Sequence, residues 1–401
     1  MPASCNDQSE DREAGLTAMT KNTRTGSTGA LSTRRQRAFT LIELMVAMTV
    51  GLLLMSALLA VFLNVSRTNR EMARTNILIE NGRFAVQLLE SDLVHAGYWG
   101  ELDYTSTDPT PTFANANAIP DPCAAVASWT SAYKDNLLAI PVQGYANGAA
   151  LTGCGITSGS VLGTSDVLVI RHANTCARGA ADCAEGADTG PHIQVSTCRS
   201  EVSPGATEPF YAMAVSGDTP STAAFPLRDK ACPPTPVAAI DAPLRKVISH
   251  IFYLATSSNQ PTLMRASLEN GAYGTPQPFI EGIEEFRVEY GVDENGKNGL
   301  PISATNPGDG SADRFVTTAQ IAAAPTTACD VAGSRCFLLA NTVAVRVHVL
   351  ARNLEPTPGY TDTKTYDLGE TTVDAKNDNF KRHVFSRTVR LVNPSGRRET
   401  P

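Results

Sequence analysis

The chain has 401 residues, 42% of them hydrophobic and 18% charged, with 33 Lys and Arg against 40 Asp and Glu for a formal charge of −7. That length and apolar content exclude a wholly disordered polymer and suffice for a sizeable buried core. No Lys/Arg cluster follows Arg74, so the basic surface that phosphate backbones require is missing and the composition points away from nucleic acid.

Residues 1–38 are rich in Ser, Thr, Asp and Arg without apolar periodicity, and they read as a disordered leader that is removed, with Met19 as a second possible start. Arg34, Arg35 and Arg37 then precede an uncharged, mostly apolar run from Leu44 to Leu63, twenty residues long. A run of that length crosses a bilayer core of roughly 30 Å as one helix. Since cytoplasmic flanks carry the excess of Lys and Arg, the start stays inside and everything after Asn64 is extracytoplasmic. Glu43 stands at the head of the run, where a carboxylate costs up to roughly 2.5–3.5 kcal/mol on insertion scales and calls for a partner or for the interface.

The string Arg37-Ala38-Phe39-Thr40-Leu41-Ile42-Glu43 and the apolar residues after it resemble the class III signal of type IV pilins and pseudopilins. The resemblance implies cleavage between Ala38 and Phe39 by a membrane prepilin peptidase and N-methylation of Phe39. It also implies that Glu43, then the fifth mature residue, pairs with the N-terminal amine of an adjacent subunit during assembly. Ala38 departs from the Gly usual before the cut. Gly51 either permits close helix approach or is an incidental glycine of a membrane helix.

Removing residues 1–38 leaves 27 basic and 36 acidic residues, near −9, and takes Cys5 away. Cys123, Cys154, Cys176, Cys183, Cys198, Cys232, Cys329 and Cys336 remain, an even set beyond the membrane helix that suits disulfides in an oxidising periplasm. Eight cysteines allow 105 connectivities; Cys176 with Cys183 and Cys329 with Cys336 would close short loops. No CxxC spacing supports zinc.

Beyond the span, Ile77, Leu78, Phe84, Ala85, Leu88, Leu89 and Leu93 gather on one side of a 3.6-residue period, which extends the helix amphipathically over residues 64–97 to a stop at Gly97-Tyr98-Trp99-Gly100. Glu80 to Val86 with Ala96 to Gly100, the block Phe279 to Asp293, and the block Arg382 to Leu391 resemble the W-type minor pilins, the PilW family; Val94 and His95 stand where that pattern carries Arg. Residues 98–401 read as a periplasmic β-rich domain, one enlarged sheet or two lobes, with a disulfide-rich insertion at about 105–245. Asp166–Arg171, Val247–Ala255, Phe286–Tyr290, Val343–Val349 and His383–Val392 are the strand candidates. The expected fold class is α+β: a long N-terminal helix packed on an antiparallel pilin-like sheet.

Enzyme signatures are missing, since His95, His172, His192, His250, His348 and His383 are scattered without HExxH, GxSxG or a phosphate-cradling glycine loop. His348 reads as a packed or solvated imidazole within a strand. Asp293 to Gly299 with Asp309 and Asp313 invites a calcium loop, but Lys297 in its middle opposes a divalent cation, which leaves a solvated turn. No cofactor or metal is expected. The resemblance implies a non-catalytic minor pilin acting in pilus initiation at the tip, and hence in twitching motility. Its implied partners are other major and minor pilins, the peptidase and the inner membrane, with a tip adhesin as an optional one. A J-type pseudopilin of type II secretion and a helix-tethered periplasmic adhesin are the competing readings.

Overall fold

A computed structural model describes residues 39–101 and 116–399 apart from 147, 150, 158–160, 164, 182, 184–189, 203–209, 216–223, 233–241 and 304. The leader, with Cys5, Met19 and Ala38, lies outside the described residues. The chain divides into two compact units at Asn64/Val65. The elements are α1 (Leu41–His95), α2 (Ser131–Ala139), β1 (Val142–Tyr145), β2 (Val167–Ala173), β3 (Pro191–Val195), the single turn α3 (Arg199–Val202), β4 (Tyr211–Val215), β5 (Leu244–Ser257), β6 (Gln260–Glu269), β7 (Ala272–Tyr273), β8 (Gln277–Glu281), β9 (Ile283–Val292), β10 (Arg314–Thr317), α4 (Thr318–Ala323), α5 (Arg335–Ala340), β11 (Thr342–Arg352), β12 (Tyr366–Leu368), β13 (Thr371–Val373), β14 (Arg382–Arg390) and α6 (Val392–Glu399).

Among the described residues of the second unit every strand pairing is antiparallel, and the strands form two main sheets. The larger follows the order β1-β2-β5-β3-β4, with β6 also paired to β5 and β7 and β8 paired to β6; the smaller follows β10-β9-β11-β14; β12 and β13 make a separate hairpin. The long β5 organises the first sheet, because Leu168 to Ala173 pair with its middle (Val247 to Phe252), His192 to Gln194 with its start (Leu244 to Lys246) and β6 with His250 to Ser257. Thus β1 to β4, all within residues 105–245, are bonded into one sheet with β5 rather than standing apart. The β5-β6 hairpin closes through Ser258 and Asn259, both at positive φ, whose twist matches that of the flanking strands.

The alternating strands behave as their pattern requires. Val345, Val347 and Val349 of β11 and Phe286, Val288 and Tyr290 of β9 form one apolar face, and it packs with Leu78, Ala85, Leu89 and Leu93 of α1 and with Phe252, Leu254 and Leu263 of the larger sheet. The sequence grouping of Ile77 and Phe84 with this helical face is corrected: they are 44% and 52% exposed, and the buried stripe is Leu78, Gly82, Ala85, Val86, Leu89 and Leu93. The steps from 78 to 93 keep closer to one line along the helix than those from 77 and 84 do.

A second core forms around Trp99, fully buried, whose indole N–H donates to the Leu138 carbonyl of α2 at 3.1 Å. Gly97 ends α1 at positive φ, its N–H donating to the Arg171 carbonyl, and α6 returns to this corner. Asn393 Nδ2 donates to the Ala96 carbonyl at 3.2 Å and Arg397 Nη1 to the Gly97 carbonyl at 3.2 Å, partners for acceptors that a helix end leaves open. The structure joins Cys123 to Cys154, Cys176 to Cys183, Cys198 to Cys232 and Cys329 to Cys336.

Candidate functional site

The first unit is the opening of α1, and its chemistry lies in Phe39, Thr40 and Glu43. Phe39 is 86% exposed, and the large apolar side chains from Leu41 to Leu63 are exposed with it. In water such a surface would not persist uncovered; in lipid or against other apolar helices it is stable. The helix is long and apolar enough to cross a membrane. Its few polar groups are satisfied internally, Thr49 Oγ1 donating to the Val46 carbonyl at 2.9 Å and Ser56 Oγ to that of Leu53 at 2.8 Å.

Thr40 and Glu43 form a reciprocal cap. Thr40 N–H and Thr40 Oγ1 each donate to Glu43 Oε2 at 3.0 Å, while Glu43 N–H donates to Thr40 Oγ1 at 3.3 Å. This arrangement occupies backbone donors that the first turn of a helix leaves unpaired. It fixes the carboxylate on the first turn of α1 beside Phe39, and Oε1 has no partner among the described residues. The T-x-x-E spacing of Thr40 and Glu43 is itself the sequence signal of such a cap. Gly51 has open space around it, so no contact within the first unit requires a glycine there.

In the second unit the three blocks that carry the W-type resemblance meet. Asn81 Nδ2 donates to the Glu281 carbonyl at 3.0 Å, Arg387 pairs with Glu90 at 2.6 Å, and Gly82 lies against the ring of Phe385. A Cβ on Gly82 would stand 2.1 Å from that ring, so the glycine is what lets α1 approach β14. Gly82→Ala is expected to destabilise the second unit by about 1–3 kcal/mol through overpacking, read as a lower denaturation midpoint at unchanged slope; an unshifted midpoint would show that the contact is slack.

The histidines are less scattered than the sequence suggests. His95, His172 and His250 collect at the end of α1 with Asp92, whose Oδ2 lies 2.6 Å from His250 Nδ1. His348 is packed, 5% exposed, with Nδ1 at 2.7 Å from Ser386 Oγ; burial holds its pKa below the usual imidazole range. The reading of Asp293 as part of a solvated turn is corrected. Asp293 is fully buried, pairs with Arg398 of α6 at 3.2 Å and accepts from Gly310 N–H at 2.9 Å. A guanidinium is thus already the counter-charge of Asp293, and Asp313 is committed to the N–H groups of Glu294 and Asn295. No cluster of three or more His, Cys, Asp or Glu is arranged for a metal among the described residues.

Comparison with known families falls on these two regions. Residues 251–393 match the family model of the type IV pilus-assembly protein W, and residues 33–59 match the prokaryotic N-terminal methylation motif. No curated protein and no solved structure matches the chain. The two matches support a type IV pilin-like role in pilus assembly, with a membrane-anchoring N-terminal helix.

Proposed function

We propose that this chain, with a W-type sheet over residues 251–393 and a prepilin motif over 33–59, works as a minor pilin that helps initiate the pilus at its tip. The observation that carries the reading is Glu43, an acid at the head of an apolar helix, held on one oxygen by Thr40 and open on the other. In this reading residues 1–38 are the leader, 39–63 the membrane and then filament-core helix, 64–97 its amphipathic continuation, and 98–401 the periplasmic domain. The peptidase cuts between Ala38 and Phe39 on the cytoplasmic face and Phe39 becomes N-methylated. The new amine of a neighbouring subunit then meets Glu43, so leaving the lipid exchanges an unfavourable carboxylate for an ion pair. Its partners are other major and minor pilins, and its contribution to twitching comes through filament initiation rather than chemistry.

Mass spectrometry of the first peptide of the membrane-extracted protein tests the processing step. The expected result is a chain beginning at N-methylated Phe39; a chain still beginning at Met1 or Met19 would mean a tethered domain instead. Deletion separates the two filament readings, since a pilus role predicts lost twitching with secretion intact, and a pseudopilin role the reverse.

A further inference from the structure

Three histidines far apart in sequence share the joint where α1 ends on the larger sheet. His172 of β2 and His250 of β5 lie on one face, because His172 pairs with Ile248 and Ile170 with His250, and cross-strand partners project to the same side. Asp92 and His95 of α1 meet them there, with the rings of His95 and His172 at 5.6 Å. In each ring Nδ1 is already engaged. It lies 2.7 Å from the Ser91 carbonyl in His95, 2.9 Å from the Ala173 carbonyl in His172, and 2.6 Å from Asp92 Oδ2 in His250. Carbonyls and carboxylates only accept, so Nδ1 carries the hydrogen and any added proton goes to Nε2. The Nε2 of His172 is buried without a hydrogen-bond partner.

The backbone on either side of His172 is what holds the helix end. Gly97 N–H donates to the Arg171 carbonyl at 3.0 Å, and Ala173 N–H donates to the Tyr98 carbonyl at 2.6 Å. We propose that His95, His172 and His250 form a proton-sensitive latch, closed when the imidazoles are neutral and loosened in acid, when their charges repel one another across the contact between α1 and the sheet. The charged groups around them decide the sign. Asp92 is the one carboxylate in contact with the rings among the described residues, and Arg265 of β6, with Glu269 beyond it, already sets a cation within range of that carboxylate. One negative charge cannot balance three imidazolium ions and a guanidinium.

Burial, the largest influence on His172, keeps its pKa below the ordinary value, against smaller opposing effects of the Ala173 carbonyl and Asp92. The contribution of neutral His172 is therefore complete above the ordinary histidine pKa near about 6.5 and declines as pH falls through that value toward the lower folded one. A domain outside the cytoplasmic membrane meets the pH of the surroundings, and that clause alone rests on the topology proposed above. Asp166 has the opposite sign, since burial pushes its carboxyl up to about 6 and acid relieves its charge, so a global melting curve would mix the two effects. A local readout is needed.

Hydrogen exchange of the full chain in detergent micelles, followed on residues 89–98 at pH 7.5 and 5.0 and corrected for intrinsic rates, supplies it. The expected result is opening faster by on the order of tenfold at the lower pH. His172→Gln or the half-exposed His95→Gln should diminish this difference, and the second variant carries the test if the buried one does not fold. An unchanged rate in the parent protein, or a difference undiminished in both variants, overturns the latch; the latter would place the acid sensitivity at another group such as His348.

Discussion

Replacing Glu43 by Gln is expected to leave the protein in the membrane at normal or higher level and to remove it from the pilus. Both halves follow from one carboxylate. In lipid the acid costs up to roughly 2.5–3.5 kcal/mol, so a neutral isostere inserts at least as well. In the filament the proposed partner is the amine of a neighbouring chain, and deleting one member of a buried pair strands the other at a cost of about 3–5 kcal/mol. Even about 3 kcal/mol is on the order of a hundredfold in an association equilibrium. Immunoblots of sheared pili against membrane fractions read the partition. Gln can still accept from Thr40, so the helix cap is largely kept, and a loss of incorporation reports the charge. Equal incorporation of Glu43→Gln and parent protein would remove the proposed role of the acid.

Arg382→Met should be the most damaging single substitution in the second unit. The guanidinium is fully buried and touches three carboxylates: Nη1 reaches Asp362 at 2.8 Å, Nη2 reaches Asp378 at 2.6 Å, and Nε reaches Glu284. Asp362 is equally buried and also accepts from the hydroxyls of Tyr366 at 2.9 Å and Tyr360 at 3.1 Å. Methionine fits the volume but leaves that anion uncompensated, at an expected cost of about 3–5 kcal/mol. The pH dependence identifies the cause. Burial, the largest influence, raises the Asp362 pKa, yet Arg382 and the two tyrosines together outweigh it and hold the carboxyl below its ordinary value. Its contribution is thus present above the unfolded pKa near about 3.9 and lost as pH falls through the lower folded value. In the variant the stranded carboxylate gains by taking a proton, so the deficit should be largest near neutrality and narrow in acid. A deficit independent of pH would point to packing rather than charge.

The parts of the fold that could be read in the sequence are those whose residue types alternate or run unbroken along the chain. Val343 to Val349 and Phe286 to Tyr290 alternate, and they lie in β11 and β9; the charge-free run after Glu43 lies in one continuous helix. Val167 to Ala173, expected as a strand over Asp166–Arg171, is buried at every position, so the strand was legible but its partners were not: the pairing of β5 with both β2 and β3 depends on registers set by distant segments. The exposure of Ile77 and Phe84 was hidden for a related reason, because apolar residues flank the buried stripe on the same helix and only packing decides between them.

At the sites the division is similar. Thr40 was legible three residues before Glu43. Arg398 beside Asp293 was not, since 105 residues separate them, and a turn rich in Asp, Asn and Gly looks solvated until α6 folds over it. The gathering of the three histidines at the end of α1 is not legible either, because spacing along the chain says nothing about which strands pair. Gly82 and Phe385, which belong to separate blocks of the W-type resemblance, acquire a shared reason only when α1 is seen lying on β14.

The most direct measurement of the central claim is a zero-length cross-link made in intact pili with a lipid-soluble carbodiimide and mapped by mass spectrometry. The account predicts that the Glu43 peptide of this chain is joined by an amide to the N-terminal residue of another pilin. Filaments that contain the chain and couple at other carboxylates, yet never at Glu43, would contradict it.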